Sequence, residues 1–209
     1  MSAMPLDSDQ ALGCFAELVA AGTPAPGGGS VAAHSGMMAA ALGQMVCNLT
    51  IGKPKFADRE PRMTELRDEL EHLGRRLREL IAEDAASFEA VLAAYRLPKE
   101  NDDQKAERAQ AIQTAIGVAV SVPLETAERS FEVLELLREI AVGGNPNAIS
   151  DVAVGSQLAE VAIKAAGYNV AANLGTMSDV NKSREADERM KTLVEQAKTI
   201  AAEVAAKVG

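Results

Sequence analysis

The stretch that most constrains this chain runs from Pro24 to Gly52. It opens as Pro-Ala-Pro-Gly-Gly-Gly-Ser and then carries no Asp, Glu, Lys or Arg until Lys53. A glycine-rich turn therefore feeds directly into an uncharged, apolar segment. Two stripes recur along that segment at spacings of three and four, the period of a helix. Ala33, Gly36, Ala40, Gly43 and Cys47 form a small stripe, and Val31, Met38, Leu42, Met45 and Leu49 form a large one. The small stripe permits close helix approach and the large stripe is expected to fill a core. With both faces committed to packing, the segment is expected at the centre of the molecule. Ser30 is expected as its N-cap, Gly52 as its C-cap residue and Pro54 as its stop.

A span from Val31 to Ile51 has the length to cross a bilayer. It is interrupted by His34, Ser35, Gln44, Asn48 and Thr50, and its apolar residues are mostly Ala, Gly and Met. A buried helix of a soluble bundle is the better reading. With 209 residues the chain is long enough for a sizeable core, and a single helical domain over 1–209 is expected. Aromatic residues make up only 3% and Ala is frequent, which favours an all-α fold over a sheet.

The remaining periodicities fill out a bundle of about six to seven helices. Ser8 to Ala20 reads as a short amphipathic helix. Asp58 to about Tyr95 reads as one long helix with Pro61 in its first turn. Its seam is Leu66, Leu70, Leu73, Leu77, Ile81, Phe88, Val91 and Tyr95. The next helix starts at Asp102 or Asp103, and Pro123 is expected to kink or break it. Gly143-Gly144 ends it and Asn145-Pro146-Asn147 turns the chain. Ser150 is expected to cap a second small-residue helix from Asp151 to about Leu174, and an amphipathic helix over Ser183 to Val208 follows. The two small-residue helices belong at the bundle centre or at a subunit seam.

The net charge of −9 argues against a nucleic-acid or anionic-membrane partner. Any anionic ligand must then be held by local positive features. Cys14 and Cys47 come with no CxxC and no Cys/His cluster, which reads as reduced core cysteines in a cytoplasmic protein, with no metal. Met1 to Gln10 is polar and acidic, so no signal peptide is expected.

Several residues carry candidate chemistry. In the turn, Gly27, Gly28 and Gly29 let backbone N–H groups converge beside a helix N-terminus, which suits a carboxylate or phosphate. It serves equally as a plain capped turn, and it is neither a Walker A motif nor a dinucleotide fingerprint. Asp84 falls on the leucine seam of the long helix. A carboxylate there is costly to bury unless paired or protonated, and burial would fit it to move protons near neutral pH. A bend that returns it to solvent is the alternative. Asp151 sits in a first helical turn, where the dipole favours an acid in any case. Asn169 and Asn173 lie on a tight stripe where amides need partners. Lys53, Lys55 and Arg59 form a local positive patch. His34 lacks a companion, and Ser30 and Ser35 lack a His/Asp partnership for nucleophilic catalysis.

Taken together, Thr-Pro-Ala-Pro-Gly-Gly-Gly-Ser (23–30), Met-Val-Cys-Asn-Leu-Thr-Ile-Gly-Lys (45–53), Asp84 with Phe88, Val-Pro-Leu (122–124) and Gly-Asn-Pro-Asn-Ala-Ile-Ser-Asp (144–151) resemble the formimidoyltetrahydrofolate cyclodeaminase/methenyltetrahydrofolate cyclohydrolase family. The likeness covers nearly the whole chain in order. At Leu-Pro-Lys (97–99) and Lys-Ala-Glu-Arg-Ala (105–109) it looks most like the stand-alone cyclohydrolase branch. His34 stands where this family is expected to hold a small apolar residue.

The resemblance implies an all-helical homodimer that binds a reduced, in some cases polyglutamylated, folate and needs no other cofactor. With the chain used up by the bundle, hydrolysis of the methenyl bridge is expected ahead of cyclodeamination with ammonia release. A non-catalytic folate-binding or helical interaction protein is the reading from another class. The resemblance further implies Asp84 as base and proton shuttle and Asp151 as second acid or pterin anchor. Asn147, Asn169 and Asn173 would pair with the pterin or hold water. Gly27, Gly28, Gly29 and Ser30, with Lys53, would take the anionic benzoyl-glutamate end.

Overall fold

The structure, a computed structural model, describes residues 12–208. Six α-helices follow one another among those residues: α1 (Leu12–Ala20), α2 (Gly28–Thr50), α3 (Glu60–Tyr95), α4 (Asp102–Gly143), α5 (Ile149–Leu174) and α6 (Val180–Ala205). Short 3-10 turns at Pro54–Phe56 and Pro146–Ala148 link α2 to α3 and α4 to α5. There is no strand among the described residues. Residues 8–11 of the first expected helix lie outside the described residues.

Helices α2 to α5 form a four-helix core, and α6 packs across α4 and α5. Cross-links fix the directions. Ser30 meets Asp84, and Gly52 N–H meets Glu60, so α2 and α3 are antiparallel. Arg62 to Glu139 and Arg76 to Glu125 set α4 antiparallel to α3. Asn173 meets Ala119, and Asn145 meets Thr50, so α5 runs opposite to both α4 and α2.

The inside of α2 is built from its small stripe. Ala33, Gly36, Ala40, Gly43 and Cys47 are all buried. A Cβ on Gly36 would stand 2.4 Å from Ser130 Oγ, and one on Gly43 2.7 Å from Leu70 Cδ1. Those two glycines, with Gly29, recur every seven residues and let α3 and α4 close in. The large stripe does not fill the core as the sequence led one to expect. Val31, Met38, Met45 and Leu49 are exposed, with Leu49 at 42%. The helix is too thin on its inner side to need them, because leucines of α3 and α4 (Leu66, Leu70, Leu77, Leu134, Leu137) supply the core volume.

Caps and seams differ from expectation at several points. The N-cap of α2 is Gly27, and Ser30 is already inside the first turn. Helix α5 begins at Ile149 behind Ala148, so Ser150 is likewise inside the helix. Pro123 lies within α4, which runs unbroken for 42 residues. Phe88 and Tyr95 are 40% and 45% exposed, because α3 continues past the start of α2 by about three turns beyond Asp84. Of the two cysteines only Cys47 is buried, and burial pushes its thiol up to about 11; Cys14 is exposed. No helix among the described residues is long and apolar enough to cross a membrane.

Candidate active site

At the N-terminal end of α2 the bundle leaves a cavity of about 210 Å³. Its walls are the turn (Pro24, Ala25, Gly27, Gly28, Gly29), a patch of α3 centred on Asp84, Ala119 of α4, and Asn169 and Asn173 of α5. Asp84 is the one charged side chain in that lining. The antiparallel order of α2 against α3 and α5 puts the first turn of one helix beside the later turns of the other two. That is how residues so distant in sequence converge.

Asp84 presses on the backbone of the glycine turn. A Cβ built on Gly29 would lie 2.0 Å from Asp84 Oδ1, so no residue but glycine leaves the carboxyl where it is. Ser30 Oγ donates to Asp84 Oδ2 at 2.9 Å. Burial pushes the Asp84 carboxyl above its ordinary range, and the hydrogen bonds from the Ser30 side chain and backbone oppose that rise. Asp84 is thus a carboxyl held in one orientation and biased toward keeping a proton, which are the properties of a proton-transfer group.

The two amides are spent on backbone. Asn169 Nδ2 donates to Ala165 O at 2.9 Å. Asn173 Nδ2 donates to Asn169 O at 2.9 Å and to Ala119 O at 3.2 Å. Asn173 has both amide hydrogens committed and Asn169 one of its two, and the carbonyl oxygens of both remain to accept from a ligand. The cavity therefore offers acceptors (Asp84, Asn169, Asn173) and a backbone turn, and it suits a ring edge rich in N–H donors.

Of the residues singled out in sequence, Gly27, Gly28, Gly29, Asp84, Asn169 and Asn173 come together here. Ser30 does not line the cavity; it is fully buried behind Asp84. Lys53, Asn147 and Asp151 lie at the opposite end of α2, whose 23 residues span roughly 33 Å. Asn145 bonds Leu49 O and Thr50 Oγ1 there, which ties the start of α5 to the end of α2. Asp151 occupies the first turn of α5, where the helix dipole favours it. Lys55 and Arg59 flank Phe56 in the same region, and Arg59 also reaches Gly143 O. His34 stacks on Phe15 with ring centroids 5.1 Å apart.

Sequence reading missed Ser87, Phe88, Val91 and Ala119 as cavity residues. Ser87 and Phe88 were legible in principle, since they follow Asp84 by three and four positions and share its helix face. Among the described residues no group of His, Cys, Asp and Glu is arranged to hold a metal ion.

Fold and site together define an all-α bundle with a half-buried carboxyl facing a small cavity at one end. The profile of the formiminotransferase-cyclodeaminase family matches residues 11–205, and the chain belongs to that family. It is 42% identical over 179 residues to the methenyltetrahydrofolate cyclohydrolase of Methylorubrum extorquens, covering 86% of this chain and 85% of that protein. It is 35% identical over 194 residues to the formimidoyltransferase-cyclodeaminase of Rattus norvegicus, covering 93% of this chain but only 36% of that protein. The crystal structure of formiminotetrahydrofolate cyclodeaminase from Thermotoga maritima superposes with a TM-score of 0.85 at 28% identity and covers 95% of each chain.

Proposed function

We propose that this protein hydrolyses the methenyl bridge of 5,10-methenyltetrahydrofolate to 10-formyltetrahydrofolate, with Asp84 as the proton-transfer group. The observation that carries this reading is the placement of Asp84: half-buried, oriented by Ser30 and set against the glycine turn of a cavity lined by amide acceptors. The likeness to a methenyltetrahydrofolate cyclohydrolase over most of both chains supports the substrate.

The chemistry needs little more. Water adds to the bridge carbon of the amidinium cation. Its O–H bond breaks as Asp84 takes the proton and the new C–O bond forms. As the C–N5 bond then breaks, N5 receives that proton from Asp84. The adduct hydroxyl gives up its own proton to become the formyl carbonyl on N10. One proton is released overall, which balances the charge of the cation. A carboxylate close to that cation also stabilises it electrostatically. The N–H edge of the pterin faces Asn169 and Asn173. A cavity of about 210 Å³ falls below the usual volume for a whole drug-sized ligand, so it takes the ring system and leaves the benzoyl-glutamate end outside.

The test is loss of methenyl absorbance above the spontaneous rate, with Asp84→Asn as the control. A general base contributes about 10² to 10⁴ in rate, and the variant should lose that much while keeping its helical circular dichroism. Full activity in the folded variant would remove Asp84 from the mechanism. A second reading is favoured by the Thermotoga maritima likeness: ring closure of formimidoyltetrahydrofolate with ammonia release. It uses the same carboxyl, and ammonia production from that substrate decides for it.

The protein acts as a homodimer in the cytoplasm in this proposal. Helices α2 and α5 pack side by side and each leaves an outward apolar row spaced by seven: Val31, Met38 and Met45 on α2, and Val154, Val161 and Tyr168 on α5. Rows of that spacing suit helix-on-helix packing. The outward face of α2 carries no charged residue, which a second copy of the same face complements.

A further inference from the structure

Ser30 has one hydroxyl proton and two acceptors. Its Oγ lies 2.9 Å from Asp84 Oδ2 and 3.1 Å from the carbonyl oxygen of Ile81. The side chain is fully buried and makes no contact with the cavity, so it acts on a ligand only through Asp84. Ile81 lies inside α3, where its carbonyl already accepts a helical N–H and does not depend on Ser30.

We infer that Ser30 is the positioning residue of this site: its hydroxyl proton goes to Asp84 Oδ2 while the carboxyl is charged and turns to the Ile81 carbonyl when the carboxyl is neutral. A charged carboxylate is the stronger acceptor and wins the proton; a neutral carboxyl is a weaker one and loses it to the peptide carbonyl. The Ser30 backbone N–H is a fixed donor that favours the charged form throughout, and the hydroxyl is the donor that can leave when the carboxyl is neutral. A hydroxyl between two acceptors has a partner for its proton in either state. This matters because the proposed reaction, on which the inference rests, takes Asp84 through both states in every turnover. When the hydroxyl turns away, the Ser30 backbone contact remains on the carboxyl, and the bond-making oxygen keeps its place against the turn.

No other charge substitutes for Ser30. On α2 the next titratable group is His34, one turn along and stacked on Phe15. On α3 the neighbouring Glu83 is tied to Arg76. Helices α4 and α5 meet the cavity through Ala119, Asn169 and Asn173, none of which titrates.

The test is the titration of Asp84 itself, followed by carboxyl carbon NMR in the wild type and in Ser30→Ala, Ser30→Cys and Ser30→Thr, beside the pH profile of kcat/KM. Losing a hydrogen bond to the charged form should move the Asp84 midpoint up by about one to two pH units in Ser30→Ala. The rising limb of kcat/KM should move with it, and much of the rate should return at high pH. Ser30→Thr, which keeps a hydroxyl, should restore the midpoint. Ser30→Cys keeps the volume with a weak donor and should fall between; it stands in should the alanine variant fail to fold. An Asp84 midpoint unmoved in the folded variants, with the rate reduced equally at every pH, would overturn the inference. The NMR titration needs no turnover, so a wild type without hydrolase activity sinks the functional reading and leaves this one to be decided.

Discussion

Asn173 supplies from α5 the hydrogen bond that Pro123 withholds inside α4. Proline has no N–H, so the Ala119 carbonyl four residues earlier lacks its helical donor. Asn173 Nδ2 fills that gap at 3.2 Å, and α4 continues unbroken. A defect in one helix thereby fixes the rotamer of a cavity amide on another. It also brings α5 and α4 together at the cavity wall.

That relationship predicts a coupling. Asn173→Ala leaves a nearly buried carbonyl unpaired and should cost about 1–3 kcal/mol. Pro123→Ala restores a donor within α4, so the same Asn173→Ala change should cost clearly less in that background. Urea denaturation of the four members of the double-mutant cycle measures the difference. Equal costs in both backgrounds would show that the two residues act independently.

Adjacent glycines of the turn should respond differently to a methyl group. On Gly29 a Cβ would meet Asp84 Oδ1 at 2.0 Å, so Gly29→Ala must displace the carboxyl. Overpacking of this kind costs about 1–3 kcal/mol, and hydrolysis should fall with it by at least the loss seen in Asp84→Asn. On Gly28 the nearest atom is Asn169 Nδ2 at 3.7 Å, an ordinary contact. Gly28→Ala should therefore melt close to the wild type and weaken folate binding only through lost cavity space. Thermal melts and KM values of the two variants separate these outcomes.

Acid should loosen the α3–α4 pair first. The Arg76 guanidinium holds the Glu125 carboxyl below its ordinary value, and Arg62 does the same for Glu139. Both carboxylates bind protons less tightly folded than unfolded. Their stabilisation is therefore complete above the ordinary glutamate value of 4.5 and is lost as pH falls through the depressed folded values. Partial exposure and screening keep each contribution small. Urea midpoints measured from neutral pH down to about pH 3 should fall steeply for the wild type and less so for Glu125→Gln and Glu139→Gln. Parallel curves for all three would assign acid sensitivity to other groups.

The outward rows of α2 and α5 predict an assembly. Met38→Glu combined with Val161→Glu puts two charges into the middle of the proposed dimer face while leaving the inner stripes untouched. Sedimentation should show a dimer for the wild type and a monomer for the double variant. A wild type that sediments as a monomer at high concentration would exclude this face as an interface.

Much of the bundle was legible from period alone. The extents of α3, α5 and α6 follow from their apolar spacing to within a few residues. What period does not tell is which of two apolar faces points inward. On α2 both stripes satisfy the helical pattern, and the leucines of α3 and α4 decide the matter by leaving space only for the small one. Caps were misplaced for a related reason: Gly27 and Ala148 start helices without a side-chain acceptor, so the serines that follow them looked like the boundary. Asp84 stood out as a carboxyl on a leucine seam, and Asn169 and Asn173 as amides on a small one. Lys53 and Asp151 joined them in sequence motifs, but helix length separates them in space. The bond from Asn173 to Ala119 required knowing that α5 lies beside Pro123, which no local pattern reveals.

Gly29, Gly36 and Gly43 touch Asp84, Ser130 and Leu70 along one line of α2. A helix seated that closely can neither roll nor slip by a fraction of a turn without a collision. The Asp84 carboxyl is therefore indexed to the same contacts that close the bundle. A loosened form that keeps its helices but loses this seating loses the Asp84 cavity with it, so an assembled cavity reports the completed packing of the core.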